Sequence, residues 1–172
     1  MAEGAAVHSD KYLAGVRELY QGEIYGEGLF STLLASCPEE HAYGMALLLQ
    51  LEGEAKVRLR PLLWRHGLSL VENESERAAG TEEAVRMRHL PWLEAMRELA
   101  ALVKRYLPRY QALAAVVPDS DRPHVHFMVD HELTVLRFAE LAAAGDETAA
   151  AQVVLSQLEH PWPADRSTPM PA

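Results

Sequence analysis

Apolar residues recur every three to four positions through four long stretches of this chain. The first series is Tyr12, Val16, Leu19, Tyr20, Phe30, Leu33 and Leu34. That spacing predicts a helix reaching about Ala35, with Ser9 as its N-cap and Asp10 in its first turn. Ser36, Pro38 and Glu39 then read as a stop and immediate restart, Ser36 and Glu39 being spaced as a capping box. A second helix follows over Pro38–His66 on the stripe Met45, Leu48, Leu49, Ala55, Leu59, Leu62 and Leu63. Gly67 is its C-terminal stop and Pro61 a kink. Residues 67–91 form the longest connection, too long to lack structure, and predict a short helix over Thr81–Leu90. The third long helix is expected over Pro91–Val117, with Trp92, Leu93, Met96, Leu99, Val103, Leu107, Tyr110 and Leu113 inward and a kink at Pro108. After a turn at Pro118–Pro123, a fourth covers His124–Ala144 and ends at Gly145. Asp146 caps a short fifth helix that stops before Pro161. A tight joint, one long crossover and another tight joint predict an all-α bundle of four helices running up, down, down and up.

Composition narrows what such a bundle does. The chain has 172 residues, 49% of them hydrophobic, enough for one domain over residues 1–160. The tail 161–172 carries four prolines and is expected to be disordered beyond Trp162. A formal net charge of −9 without a basic stripe excludes duplex binding, which needs Lys and Arg to displace phosphate counterions. The start MAEGAAVHSD has no secretory pattern and no apolar run is long enough to span a bilayer, so a cytoplasmic location and no membrane partner are expected. Cys37 is the only cysteine, so no internal disulfide forms. It reads as a small apolar residue at the first helix junction. There is no Gly-rich phosphate loop, nucleophile elbow or zinc-finger spacing.

The informative residues break the apolar stripes. Burying an unpaired carboxylate costs several kcal/mol, yet Glu23 and Glu27 continue the first stripe toward Phe30. Glu52 lies within the second, and Glu132 is central to Val125, Met128, Val129, Leu136 and Ala139 in the fourth. Three helices aim acids at one interior. Iron or manganese would accept these oxygens together with a nitrogen of the neighbouring His131. Lys56, one turn after Glu52, is a candidate internal counter-charge, with Arg58 and Arg137 also placed to reach inward. His124 and His126 would point to opposite sides of a helix and read as capping or surface residues. His89 reads as a connector residue. Tyr20, Tyr25 and Tyr43 are candidates for lining a redox pocket, although tyrosines at helical spacing are more often core.

The stretches GEIYGE at 22–27 and LEGEAK at 51–56 resemble the first helix pair of the ferritin-like carboxylate proteins. The separation of 29 residues between Glu23 and Glu52 is similar to that between the first two metal-ligating glutamates of that superfamily. The resemblance covers about residues 10–145. It implies a ferritin-like bundle with one long crossover between helices 2 and 3, followed by the short fifth helix. It also implies a metal set built on Glu23, Glu27, Glu52 and Glu132 with His131. Family members carry Glu-x-x-His on their second and fourth helices, whereas here the histidine slots hold Ala55 and Val135. The complete two-metal set is therefore not carried over. A heme-oxygenase-like bundle is the competing fold.

Three arrangements remain open. The glutamates hold iron or manganese; or Lys56 and arginines neutralise them without metal; or they lie on solvated flanks. The first implies a metal-dependent oxidase or oxygenase acting on a small organic molecule. The second implies a structural or dimerising module, with Leu29, Leu70 and Trp64 as outward apolar positions for a homodimer.

Overall fold

The computed structural model describes the backbone of residues 2–163 and the side chains from Asp10 onward. Among these residues the chain is all-α, with helices α1 (Ala2–Ser36), α2 (Glu39–Arg65), α3 (Glu74–Met87), α4 (Trp92–Ala114), α5 (Arg122–Ala143) and α6 (Glu147–Leu155). None of the described helices is long and apolar enough to cross a membrane.

Most helix ends fall near their predicted places, and the exceptions have local causes. The α1 backbone begins at Ala2, so Ser9 lies inside the helix and does not cap it. The Ser36 hydroxyl turns back to donate to Thr32 O at 2.9 Å, so no capping box forms with Glu39. Pro38 stands at the N-cap of α2 without a side-chain bond, and Glu39 and Glu40 face the positive helix end. Gly67 and Gly145 both adopt positive φ, 64° and 85°, as helix-terminating glycines do. The connecting helix α3 starts at Glu74, seven residues before the expected Thr81. Its cap is Asn73, whose side chain accepts from Ser75 N at 3.0 Å. Gly80, which weakens an isolated helix, lies inside it. The predicted disorder of the tail lies outside the described residues beyond Pro163. The segment up to that point is strapped to α2: Glu54 accepts from Glu159 N, Gln50 from Trp162 N, and Tyr43 donates to Trp162 O.

Gly80 is explained by what α3 does. A Cβ at Gly80 would overlap the backbone carbonyl of Tyr25, and one at Gly28 would overlap that of Arg77. The two glycines let α1 and α3 touch backbone to backbone. Leu29, expected on an outer face, is consequently covered and only 2% exposed.

The other helices pack pairwise. Gly26 of α1 faces Glu52 of α2, and Gly44 of α2 faces Phe138 of α5. Lys104 of α4 pairs with Glu140 of α5 at 2.8 Å, and Gly22 of α1 faces Tyr110 of α4. Because α2 packs against α1, α5 and α6, it buries Leu47 and Leu51 as well as its predicted stripe, in which Leu49 alone is half-buried. Leu93, predicted inward, is 41% exposed. The core has two apolar halves. One centres on Phe30, Met45, Leu48, Met96 and Phe138; the other on Val16, Ile24, Leu59, Leu62, Val125 and Met128.

One end of the bundle is tied by Asp121, which is fully buried. It accepts from the Tyr12 hydroxyl at 2.8 Å and from Arg65 Nη1 at 2.7 Å, with His66 Nε2 at 2.6 Å. Three helices meet on this one carboxylate. Burial pushes its pKa up, but His66, Tyr12 and Ser120 outweigh that and hold it below the ordinary aspartate range.

Two outcomes follow. Gly80→Ala forces backbone to move and should cost about 1–3 kcal/mol of unfolding free energy. Gly53→Ala, in open space within α2, should instead gain roughly 0.5–1 kcal/mol; urea midpoints compare the two. Asp121→Asn should cost roughly 2–4 kcal/mol at pH 7. Because the folded pKa of Asp121 is depressed, its contribution is complete above the unfolded value near ~3.9 and is lost as pH falls through the folded one. The gap between wild type and variant should therefore hold from pH 7 to about 5 and close on further acidification.

Candidate metal centre

Between the two apolar halves lies a thin polar layer. Glu23 from α1, Glu52 from α2 and His131 from α5 each offer a donor atom, and these atoms lie within 4.8 Å of one another. The residues are 1%, 3% and 1% exposed, so the solvated-flank arrangement does not apply to them. His131 Nε2 stands 3.4 Å from both Glu23 Oε2 and Glu52 Oε1. These separations exceed a good N–H···O bond of ~2.7–3.2 Å. Glu23 Oε2 and His131 Nδ1 have no hydrogen-bond partner, which is costly for buried polar atoms.

The local sequence makes this convergence possible. A side chain at Gly26 would overlap the Glu52 carboxyl, so the glycine on α1 opens the space that Glu52 fills from α2. Phe127, one turn before His131, lies 6.4 Å from its ring.

Glu132 faces a different direction from its neighbour. It is part-buried and lines a cavity of about 390 Å³ between α1 and α4. The Tyr110 hydroxyl of α4 lies near it in the same lining. Glu52 lines the same cavity, as do Phe30, Leu99, Val103 and Tyr106. The cavity thus reaches the polar layer.

The charges explain the protonation of the layer. Burial, then Glu52 and Glu132, push the Glu23 pKa well above the ordinary range. Burial raises Glu132 to about 7, with Glu52 adding to the rise while His131 and Tyr110 oppose it. For His131 burial favours the neutral ring, but Glu52 and Glu132 outweigh it and raise the pKa. Burial and the surrounding carboxylates raise the Tyr110 pKa far above normal, so its hydroxyl remains a donor. A layer of this kind binds a proton or a cation.

Two of the predicted residues belong elsewhere. Glu27 is turned away and pairs with Lys56 Nζ at 2.6 Å and Arg77 Nη1 at 2.8 Å. Lys56 also holds Glu72 at 2.7 Å, so it does not neutralise Glu23 or Glu52. Its pKa is raised, because Glu27 and Glu72 outweigh the lowering by burial. Neither arginine reaches inward: Arg58 lies 4.3 Å over the Phe127 ring and pairs with Glu159, and Arg137 is exposed. His124 Nδ1 meets Arg58 O at 2.9 Å, whereas His126 and His89 are exposed. Of the three tyrosines, only Tyr25 lines the cavity; Tyr20 donates to Leu70 O and Tyr43 to Trp162 O.

Sequence reasoning missed Glu72 and Arg77, which complete the outer ion network, because neither sits on an apolar stripe. Tyr110 was read as core only. The spacing of Gly15, Gly22 and Gly26 on one face of α1 was an available signal for the cavity wall.

No known family model matches this chain, and neither a curated protein nor a solved structure is detectably similar to it.

In chelator-treated protein, the raised pKa of Glu132 sets a pH dependence. A buried acid with a raised folded pKa contributes most below its unfolded value near ~4.3, and stability falls as pH climbs toward the folded value. Glu132→Gln removes that loss. The variant should gain on wild type between pH 5 and pH 8, by at most about 3 kcal/mol and less where cavity water screens the charge. Denaturation at the two pH values measures it.

Proposed function

We propose that this chain is a ferritin-like carboxylate bundle that holds one divalent iron or manganese ion on Glu23, Glu52 and His131. In this reading it is a metal-dependent oxidase or oxygenase whose small organic substrate enters the cavity between α1 and α4. The observation that carries the proposal is the buried three-donor set, with Glu23 Oε2 left unpartnered and a cavity adjoining it.

The chain path supports the ferritin-like assignment. Between α1 and α2, Tyr12 meets His66 and Gly26 meets Glu52; between α2 and α5, Gly44 meets Phe138 and Arg58 meets Phe127; between α1 and α4, Gly15 meets Leu113 and Tyr25 meets Tyr106. In each couple the numbers rise on one helix as they fall on the other, consistent with α1 and α5 running one way and α2 and α4 the other. The excursion through α3 is then the long crossover.

The donors suit the metal. Two carboxylate oxygens and one imidazole nitrogen are the hard-to-intermediate set that iron and manganese accept. The His131 nitrogen stands 3.4 Å from an oxygen of each glutamate, close enough for one cation to be held by all three side chains. A cation there would also satisfy Glu23 Oε2 and replace the proton that burial forces on Glu23.

When bound, the ion would supply one-electron redox chemistry and Lewis acidity at the cavity floor. The chain's own residues do the rest. The apolar halves exclude water from both sides. Tyr110 keeps its proton and places a hydroxyl beside Glu132 in the cavity. Lys56 and Arg77 keep Glu27 out of the layer, which limits the set to three protein ligands.

A second reading is a metal-free bundle that self-associates, and one observation favours it. A ligating imidazole normally donates its other nitrogen to a carboxylate or carbonyl, and His131 Nδ1 has no such partner. In that reading a proton shared across the layer replaces the metal, and the exposed Trp64 and Leu70 serve a homodimer. The corresponding role for Leu29 is withdrawn, since α3 covers it.

Protein purified without chelator and reconstituted anaerobically with ferrous iron should retain close to one ion per chain by mass spectrometry. Glu52→Gln, which keeps the shape and removes the charge, should retain little. Equal retention by both proteins, or none by wild type, sinks the metal reading.

A further inference from the structure

The cavity itself carries information about what it takes. We propose that it selects a small organic amine, an ammonium group on a compact apolar body, and that Glu132 receives the ammonium. This rests on the cavity being the substrate's place, as proposed above, and gives that substrate a chemical class.

The walls set the body. Phe30, Leu99 and Val103 are apolar and buried, and about 390 Å³ holds roughly a dozen water-sized groups at ~30 Å³ each. The volume lies at the small end of ligand pockets, which run ~300–1,000 Å³.

The polar groups set the head. Glu52 and Glu132 both face the cavity, with the single hydroxyl of Tyr110 beside them. The floor thus presents two carboxylates against one donor. Once Glu52 is committed to the polar layer, Glu132 is the remaining carboxylate. At the rim, Glu18 and Glu76 are acidic and Arg109 is the basic residue in the lining. Arg109 leans toward the Tyr106 ring at 5.5 Å. The buried Lys56 is held by Glu27 and Glu72. A carboxylate or phosphate substrate would meet acids at both ends of the cavity. A neutral apolar molecule would leave the floor acceptors unpaired, a cost that sites built for a donor use to reject analogues lacking it. An ammonium offers up to three donors, and the tyrosine faces at Tyr25 and Tyr106 add cation–π attraction on the way in.

The test is titration calorimetry on full-length protein whose metal content is measured in every sample, with phenethylamine, its isostere 2-phenylethanol and the anion 3-phenylpropionate as probes. Phenethylamine should bind about ten-fold or more tightly than 2-phenylethanol, a difference of ~1.4 kcal/mol or more, and 3-phenylpropionate should not bind measurably. Glu132→Gln should erase the preference for the amine, and Val103→Trp, which fills the cavity, should abolish binding of amine and alcohol alike. Should Glu132→Gln fail to fold, the ranking of the three probes on wild type still decides. Alcohol binding as tightly as amine, preferential binding of the anion, or no amine binding overturns the inference. Retained metal in those same samples would leave the metal reading standing. Amine selectivity in protein that retains no metal supports the inference and removes the metal reading.

Discussion

The arrangement of this bundle depends on keeping two carboxyl groups, Glu23 and Glu52, side by side in an apolar interior. Two ionised carboxylates there would cost many kcal/mol without compensation. Everything near them follows from how that charge is met. The apolar halves above and below supply the low dielectric, which raises the pKa of Glu23 and makes the layer hold a proton or a cation. Among the described residues, His131 is the only basic side chain placed against both acids. One imidazole cannot neutralise two carboxylates and the adjacent Glu132 together.

Lys56 is the counter-charge that the sequence suggests, and its partners show why it supplies none to the layer. Glu27, Glu72 and Glu74 meet Lys56 and Arg77 in an ion network outside the polar layer. Three acids face two bases, so the network has no positive charge to spare for the interior. It also joins α1, α2, the connector and α3. The same residues that could have filled the site electrostatically serve to hold the crossover segment down. The inner layer stays short of positive charge as a result.

The apolar spacing made the four long helices legible, because an inward stripe must recur with the helical period. Burial of Glu23 and Glu52 was legible for the same reason, as both interrupt such a stripe. Periodicity alone does not resolve neighbouring positions on one face, so Glu27 was drawn inward although it pairs outward. His131 and Glu132 were assigned together to one site, yet adjacent helical residues point about 100° apart. One faces the layer and the other the cavity. Helix α3 begins seven residues before the expected Thr81 and contains Gly80, and only the contact with Tyr25 reveals why a glycine is there. Asp121 carried no signal, since its partners Tyr12, Arg65 and His66 are remote in sequence or lie at a helix end.

The glycines of α1 connect these features. At ~100° per residue, Gly15, Gly22 and Gly26 fall within about 40° of one another, on the side that meets Leu113, Tyr110 and Glu52. Gly28 lies roughly 140° away from that line, on the side that meets α3. One helix is therefore bare on two faces for opposite reasons. On the α3 side the missing side chain brings backbones into contact and excludes water. On the other side the missing side chains admit Leu113, Tyr110 and the Glu52 carboxyl, and leave the remaining space as the cavity. Larger residues at 22 or 26 would displace the Tyr110 hydroxyl or the Glu52 carboxyl, so the open space and the orientation of the acids are one structural fact. A bundle selected for stability alone would fill that wall with leucine. That it is lined by glycine, with the acids exposed behind it, is the strongest structural reason to regard the cavity as functional.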